Sequence, residues 1–536
     1  MKIFGIFLIL ASIFFGSNII LAASGTVKAK ENHQTMVGFG ASIAWYTETL
    51  ANHSQKAVIY ELIFNDLGLD ILRLRNNYGK PGGVETSVST IVSDMNMVAY
   101  ERPLILMSSW SPPWDLKSNM SANGGSNATL KKENNQYVYG KFAKYWVDAL
   151  IAYRDAGIEP DYISMQNEPS YDAQWESCRF DAGEGTVASY GKALDTLRAA
   201  LDAADLHPMV LAPEIHGIGY NTPASYMSTI HRDIVDGYDY HLYHGNSGTN
   251  DANNVTPDGF NANLASAATV FNGKPIWQTE FDRGDWFQTV WVIHNCLVNG
   301  NVSAYLWWEL TWGDGSKPLI NLSSTSYTIN PYYWGFRQYS KYISAGWNRV
   351  TATSTDDSLR TSAFVSPDGT GLTLVILNIG SGSRSMDIAI QDFTVSGVTA
   401  IRTSNTEQGE DVSTSYNATS PMEFPGRSIT TLAFTGNLVT SIESPGPVPA
   451  DFSLHQNYPN PFNPTTTIGF SIPSEDFVLL EIFDVLGREV RTLLKQKMAA
   501  GEHTVQFESE NLNSGVYFYR LNAGNAVRMK KMILTK

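Results

Sequence analysis

Between Met36 and about Ser344 the chain alternates eight short apolar runs with longer amphipathic stretches, and this alternation constrains the fold more than any other feature. The runs fall at 37–44, 71–75, 103–110, 162–169, 209–216, 238–244, 275–281 and 303–309. Each is followed by a plausible helix, and the clearest helices, at 57–67, 137–156, 190–204, 287–299 and 333–343, carry apolar residues at helical spacing. Strands separated by helices pair in parallel, and eight such repeats over roughly three hundred residues fit a closed (β/α)8 TIM barrel better than an open doubly wound sheet. No glycine-rich phosphate fingerprint opens any of these helices, so nucleotide binding finds no support.

Past Asn348 the period changes to two. Leu372-Thr-Leu-Val-Ile-Leu-Asn, Met386-Asp-Ile-Ala-Ile and Ile429-Thr-Thr-Leu-Ala-Phe read as short strands divided by Gly, Ser and Asp turns, hence a side β-sandwich. Ser444-Pro-Gly-Pro-Val-Pro reads as an extended, stiff linker. A third, strand-rich unit follows from Asp451 to Lys536 and is expected to be a second small β-sandwich. The expected organisation is a signal peptide at 1–23, an N-terminal segment at 24–36, the barrel at 37–345, the side sandwich at 346–437, the linker at 438–450 and the C-terminal unit at 451–536.

A formal charge of −15 argues against nucleic-acid binding and against adhesion to anionic membranes. Cys178 and Cys296 are the only cysteines, too few for a disulfide framework, and no Cys/His cluster has zinc spacing. No metal or organic cofactor is implied, and a monomer is expected. Lys2, the apolar stretch 3–15 and the small residues Ala22 and Ala23 have the layout of an export signal, with Gly16, Ser17 and Asn18 interrupting what would otherwise resemble a membrane anchor. The 13 Trp and 26 Tyr suit either core packing or a cleft that stacks on sugar rings.

Two strand ends carry carboxylates. The fourth run ends in Gln166-Asn-Glu-Pro and the seventh in Trp277-Gln-Thr-Glu, which brings Glu168 and Glu280 to the same mouth of the barrel. Two carboxyl groups about 5 to 5.5 Å apart suit glycoside hydrolysis with retention, one attacking the anomeric carbon and the other protonating the leaving oxygen. Glu168, as the acid, must then stay protonated through burial and the nearby charge of Glu280, whereas Glu280 must be ionised, helped by donors such as Arg73 or Tyr243. A purely structural ion-pair role is the lesser alternative for Arg73. Asn167 is placed to donate to a sugar 2-hydroxyl. Trp110, Trp114, Tyr243, Trp308 and Trp312 are candidate sugar platforms, each also able to pack loops, and Glu214 and His216 end the fifth run near the cleft.

The C-terminal unit carries Asn457-Tyr-Pro-Asn-Pro-Phe-Asn-Pro, Val478-Leu-Leu-Glu-Ile-Phe, Ser514-Gly-Val-Tyr-Phe-Tyr-Arg-Leu and the basic end Lys530-Lys-Met-Ile-Leu-Thr-Lys, and has no tryptophan to stack on a sugar. It resembles the C-terminal sorting domain of type IX secretion cargo. That resemblance implies passage through the periplasm, release or attachment at the cell surface, and the secretion machinery as partner. The larger part carries Gly38-Phe-Gly-Ala, Leu72-Arg-Leu-Arg, Ser109-Trp-Ser-Pro-Pro-Trp-Asp-Leu-Lys-Ser-Asn, Gln166-Asn-Glu-Pro, Glu176-Ser-Cys, His241-Leu-Tyr and Leu306-Trp-Trp-Glu, and from about Thr26 to Phe434 it resembles glycoside hydrolase family 30. The resemblance implies a barrel with its side β-domain completed by the N-terminal segment, Glu168 as acid/base and Glu280 as nucleophile, and a polysaccharide substrate.

Trp-Ser-Pro-Pro-Trp and Glu-Ser-Cys most resemble the xylanase branches. The glucuronoxylan-specific branch grips glucuronate with an arginine in the loop after strand eight, where this chain reads Trp308-Glu-Leu-Thr-Trp-Gly-Asp-Gly-Ser-Lys, with Glu309 and Asp314 and no arginine. The expected activity is a retaining endo-β-1,4-xylanase that does not depend on glucuronate. The rivals are a β-1,6-glucanase or β-glucosidase/glucosylceramidase-like specificity in the same family and, from another class, a non-catalytic carbohydrate-binding surface protein.

Overall fold

The computed structural model describes residues 22–81, 83–243, 255–313, 317–439, 451–498, 500–509, 512–524 and 526–536. Nearly all of the expected signal peptide and linker, together with His244 and Asp314, lies outside the described residues. The chain divides into two units, Met1–Leu438 and Val439–Lys536.

The first unit is built on eight parallel strands: β1 Gly38–Ile43, β2 Ile71–Arg75, β3 Leu104–Ser108, β4 Tyr162–Ser164, β5 Met209–Leu211, β6 Tyr238–His241, β7 Ile276–Glu280 and β8 Ala304–Trp307. Their order, β5-β4-β3-β2-β1-β8-β7-β6, is that of a barrel. Between β5 and β6 the ladder thins to the isolated bridges Leu211–Gly237 and Ile215–Tyr240, so closure there is loose. Each strand lies inside one of the eight apolar runs. Such runs are continuous because a barrel strand is covered on both faces; all six residues of β1 are buried. Ile71, Leu106, Leu211, Trp277, Ala304 and Leu306 fill the barrel as a separate cluster, which leaves chemistry to the C-terminal mouth.

The helical stretch at 57–67 differs from its expected form. It is α-helical over Lys56–Tyr60 and π-helical over Glu61–Asp66. The wider turn brings Asp66 to Arg337 (2.7 Å) and Tyr333 (2.6 Å), and the Leu62 carbonyl also accepts from the Tyr333 hydroxyl.

The side domain is a nine-stranded ladder, in which Ala23–Thr35 runs antiparallel to Asn348–Ser354 and parallel to Arg384–Gln391. Strand Gly371–Asn378 serves two cores. Leu372, Leu374 and Ile376 face the interior of the side domain, whereas Val375 and Leu377 pack with the barrel helices. Its sequence is therefore apolar nearly throughout instead of strictly alternating. Cys178 and Cys296 are buried and unbonded to each other.

The second unit has a three-stranded sheet (Ser453–Leu454, Thr465–Ile472, Gly501–Glu508) and a four-stranded one (Glu489–Met498, Asp476–Phe483, Gly515–Ala523, Ala526–Leu534). Ile468, Phe470, Leu480, Ile482, Tyr519 and Leu521 contribute to a core of its own.

Candidate active site

After β4 the chain leaves the regular ladder but stays tethered. Asn167 N–H donates to the Ser109 carbonyl (2.8 Å), Glu168 N–H to that of Glu214 (3.0 Å), and the Gln166 amide to those of Trp110 (2.8 Å) and Asn167 (2.9 Å). Glu168 itself sits in the left-handed region at φ 49°, a conformation this over-determined setting sustains. Glu280 is the last residue of β7, in register with His241, the last of β6. Tyr243 follows two residues later, on the same side of the strand direction.

These residues meet in one buried network. Arg73, wholly buried on β2, donates from Nη1 to Glu280 Oε2 (2.7 Å) and from Nη2 to both Asn167 Oδ1 (2.6 Å) and Glu214 Oε1 (2.9 Å). The Tyr243 hydroxyl donates to Glu280 Oε1 (3.1 Å) and the Ser108 hydroxyl to Glu214 Oε1 (2.9 Å). His241 Nδ1 lies 2.9 Å from Glu168 Oε1. One ligating atom each of Glu168, His241 and Glu280 lies within 4.8 Å of the others. Such spacing also suits a metal ion, but Arg73 already holds Glu280 and His241 already holds Glu168, so the positive charge a cation would bring is supplied by side chains.

Burial and neighbouring charge set these groups apart. Burial raises the Glu168 carboxyl above its ordinary range, and the Glu280 charge adds to this against the opposing pull of His241. Burial would raise Glu214 too, but the Arg73 guanidinium, His241 and the Ser164 hydroxyl together outweigh it and hold that carboxyl at about 2. For His241, burial disfavours the cation, yet Glu280, Glu168 and Glu214 together lift it to about 9. Arg73 and His241 thus stand among the carboxyls of Glu168, Glu214 and Glu280, with Glu168 shifted up and Glu214 shifted down. An acid and an anion side by side are what two-carboxylate chemistry requires.

Above them lies a cleft of about 580 Å³, lined by Trp45, Trp110, Tyr171, Trp175, His216, Tyr243, Asp282, Arg283, Trp308 and Trp312 with the two glutamates. Trp45, Trp110 and Trp308 form one wall, with ring centres 5.4 to 5.7 Å apart, and Arg73 lies 4.5 Å from the Trp110 ring. The structure brings together every sequence-derived candidate except Trp114, which is 51% exposed and does not line the cleft because it starts a short 3-10 turn, Trp114–Leu116, on the surface. Glu214 sits beneath the cleft as a partner of Arg73 rather than on its wall. Trp45, Tyr171 and Trp175 are lining residues that sequence reasoning missed. Trp45 immediately follows the first apolar run, and that placement was the available signal.

A barrel with a buried carboxyl pair on its fourth and seventh strands beneath a tryptophan-walled cleft has the framework of a glycoside hydrolase. Comparison with known proteins specifies it further. Residues 348–432 match the glycosyl hydrolase family 30 beta sandwich domain, and residues 456–535 match the secretion system C-terminal sorting domain. The chain is 26% identical over 429 residues to the glucuronoxylanase XynC of Bacillus subtilis, covering 75% of this chain and 90% of that one. It is 24% identical over 400 residues to the endo-1,6-beta-D-glucanase neg1 of Aspergillus fumigatus, covering 64% and 78%. Among solved structures, the family 30 subfamily 8 xylanase Xyn30A of Clostridium acetobutylicum superposes with a TM-score of 0.61 at 23% identity, over 77% of this chain and 99% of that one. The chain is a glycoside hydrolase that carries the family 30 β-sandwich domain and resembles family 30 enzymes over its barrel, and its type IX sorting domain marks it for export to the medium or the cell surface.

Proposed function

We propose that the enzyme is a retaining endo-β-1,4-xylanase, with Glu280 as nucleophile and Glu168 as acid/base. The observation that carries this reading is the close approach of the two carboxyl groups, with oxygens within 4.8 Å. An inverting enzyme holds its pair about 6.5 to 9.5 Å apart to admit a water between them. Glu280 attacks the anomeric carbon while neutral Glu168 gives its proton to the leaving oxygen; Glu168 then takes a proton from the water that cleaves the glycosyl–Glu280 ester. Arg73 and Tyr243 orient the nucleophile through both of its oxygens. Asn167, fixed at its carbonyl by Arg73, directs its amide toward the 2-hydroxyl of the sugar.

Xylan is favoured by the xylanase relatives, and the Trp45, Trp110 and Trp308 wall offers faces on which its sugar rings can stack. Independence from glucuronate is favoured by the absence of an arginine between Trp308 and Lys317. Arg283 reaches the cleft, but Asp282 lies 3.5 Å away and the Tyr243 ring covers its guanidinium at 5.1 Å, so it is not a free bidentate clamp. Lys317 is tied to the Gly284 carbonyl. A charge-assisted contact contributes about 1.5 to 3 kcal/mol, roughly tenfold to a hundredfold in rate when made in the transition state. Without it, linear and glucuronate-bearing xylo-oligosaccharides of equal length should be cut at kcat/KM values within about tenfold of each other. The glucanase relative supports a second reading, β-1,6-glucan cleavage. Product profiles on plain xylan, glucuronoxylan and β-1,6-glucan side by side test both: xylo-oligosaccharides from the first two support the proposal, and cleavage of β-1,6-glucan alone overturns it.

A further inference from the structure

A second cleft of about 640 Å³ opens on the same face of the barrel, in the loops that follow β1 and β2. It is lined by Trp45, Thr47, Glu48, Asn52, Arg75, Glu85, Ser87 and Thr90 among others, and Trp45 is a wall of both clefts. Tyr46, on the rim of the second cleft, packs against Trp312 of the first with ring centres 4.9 Å apart. The glutamate pair and this second cleft are therefore separated by one layer of aromatic rings.

We propose that the second cleft is a distal subsite for the same polysaccharide chain, holding neutral sugar residues beyond those at the glutamates. Its size is that of a ligand site. Its lining is rich in hydroxyls, with the Asn52 amide beside them, and two are pre-set: the Thr47 hydroxyl donates to Glu85 (2.9 Å) and the Ser87 hydroxyl to Thr47 (2.9 Å). An aromatic ring beside fixed polar groups is the combination that suits a sugar, one face apolar and the edge rich in hydroxyls. An acidic sugar does not fit. The cation there, Arg75, is already placed against Glu85 (3.3 Å), Glu176 (3.7 Å) and the Trp45 ring (4.8 Å), and Glu48 adds a further negative charge to the lining.

The inference rests on the reading of the enzyme as a β-glycan hydrolase. It is tested with oligosaccharides of increasing length, from the shortest one cut, built on whichever of xylan or β-1,6-glucan the enzyme hydrolyses. A change of substrate identity thus revises that reading without touching the subsite. Two variants fill the cleft: Thr90→Trp from helix Thr86–Val98, and Glu48→Trp on the exposed face of Thr47–Ala51. For the wild type, kcat/KM should climb with chain length; in both variants the long substrates should lose about tenfold or more while the shortest keeps its rate, which also reports a folded protein. A flat length profile in the wild type, long-chain rates within about twofold of wild type in both variants, or equal losses on short and long substrates would each overturn the proposal.

Discussion

At the scale of single residues the site is an arrangement of charge. As the proposed acid, Glu168 acts only while protonated, and its carboxyl is raised by burial and by Glu280. Activity should therefore persist well above the ordinary glutamate value of about 4.3, falling as pH rises through the Glu168 pKa. His241 opposes that rise through its hydrogen bond and its charge. Replacing it by His241→Asn removes that opposition, so the alkaline limb of kcat/KM against pH should move to higher pH; movement to lower pH would contradict the charge assignment. Glu168 and Glu280 were legible in the sequence because each closes an apolar run at a barrel mouth. The role of His241 was not. It depends on Glu168, Glu214 and Glu280 converging from β4, β5 and β7, and no local pattern records that convergence.

At the scale of elements, the strand Ala23–Thr35 joins the beginning of the described chain to the side domain. It pairs with Asn348–Ser354 on one side and Arg384–Gln391 on the other, and its Val27 is 1% exposed among Val350, Ile376 and Phe434. Val27→Asp puts an unpaired carboxylate there and should cost about 3 kcal/mol or more, read as a large drop in Tm with the active-site residues untouched. An unchanged Tm would show that the strand is dispensable. The eight barrel strands were legible since apolar runs record burial on two faces. The predicted runs extend past several strand ends because residues such as Asn167, Glu168 and Glu214 stay buried while their backbone leaves the ladder. The π-helical turn at Glu61–Asp66 left no such trace, as the residues it meets, Tyr333 and Arg337, lie far along the chain.

At the scale of the whole molecule, catalysis and delivery occupy separate units, each with its own core. A chain ending at Leu438 should keep the kcat/KM of the full enzyme on soluble oligosaccharides, yet remain inside the cell envelope of a host that uses type IX secretion. Loss of activity in that shortened chain would tie the sorting domain to folding of the barrel. The central claim, that this exported glycoside hydrolase works by double displacement on Glu280, is tested most directly by trapping. Incubation with an activated 2-fluoro glycoside of the sugar it cleaves, followed by peptide mapping by mass spectrometry, should find one sugar esterified to Glu280. A label on Glu168, or an unlabelled enzyme that nevertheless turns over natural substrate with inverted products, would contradict it.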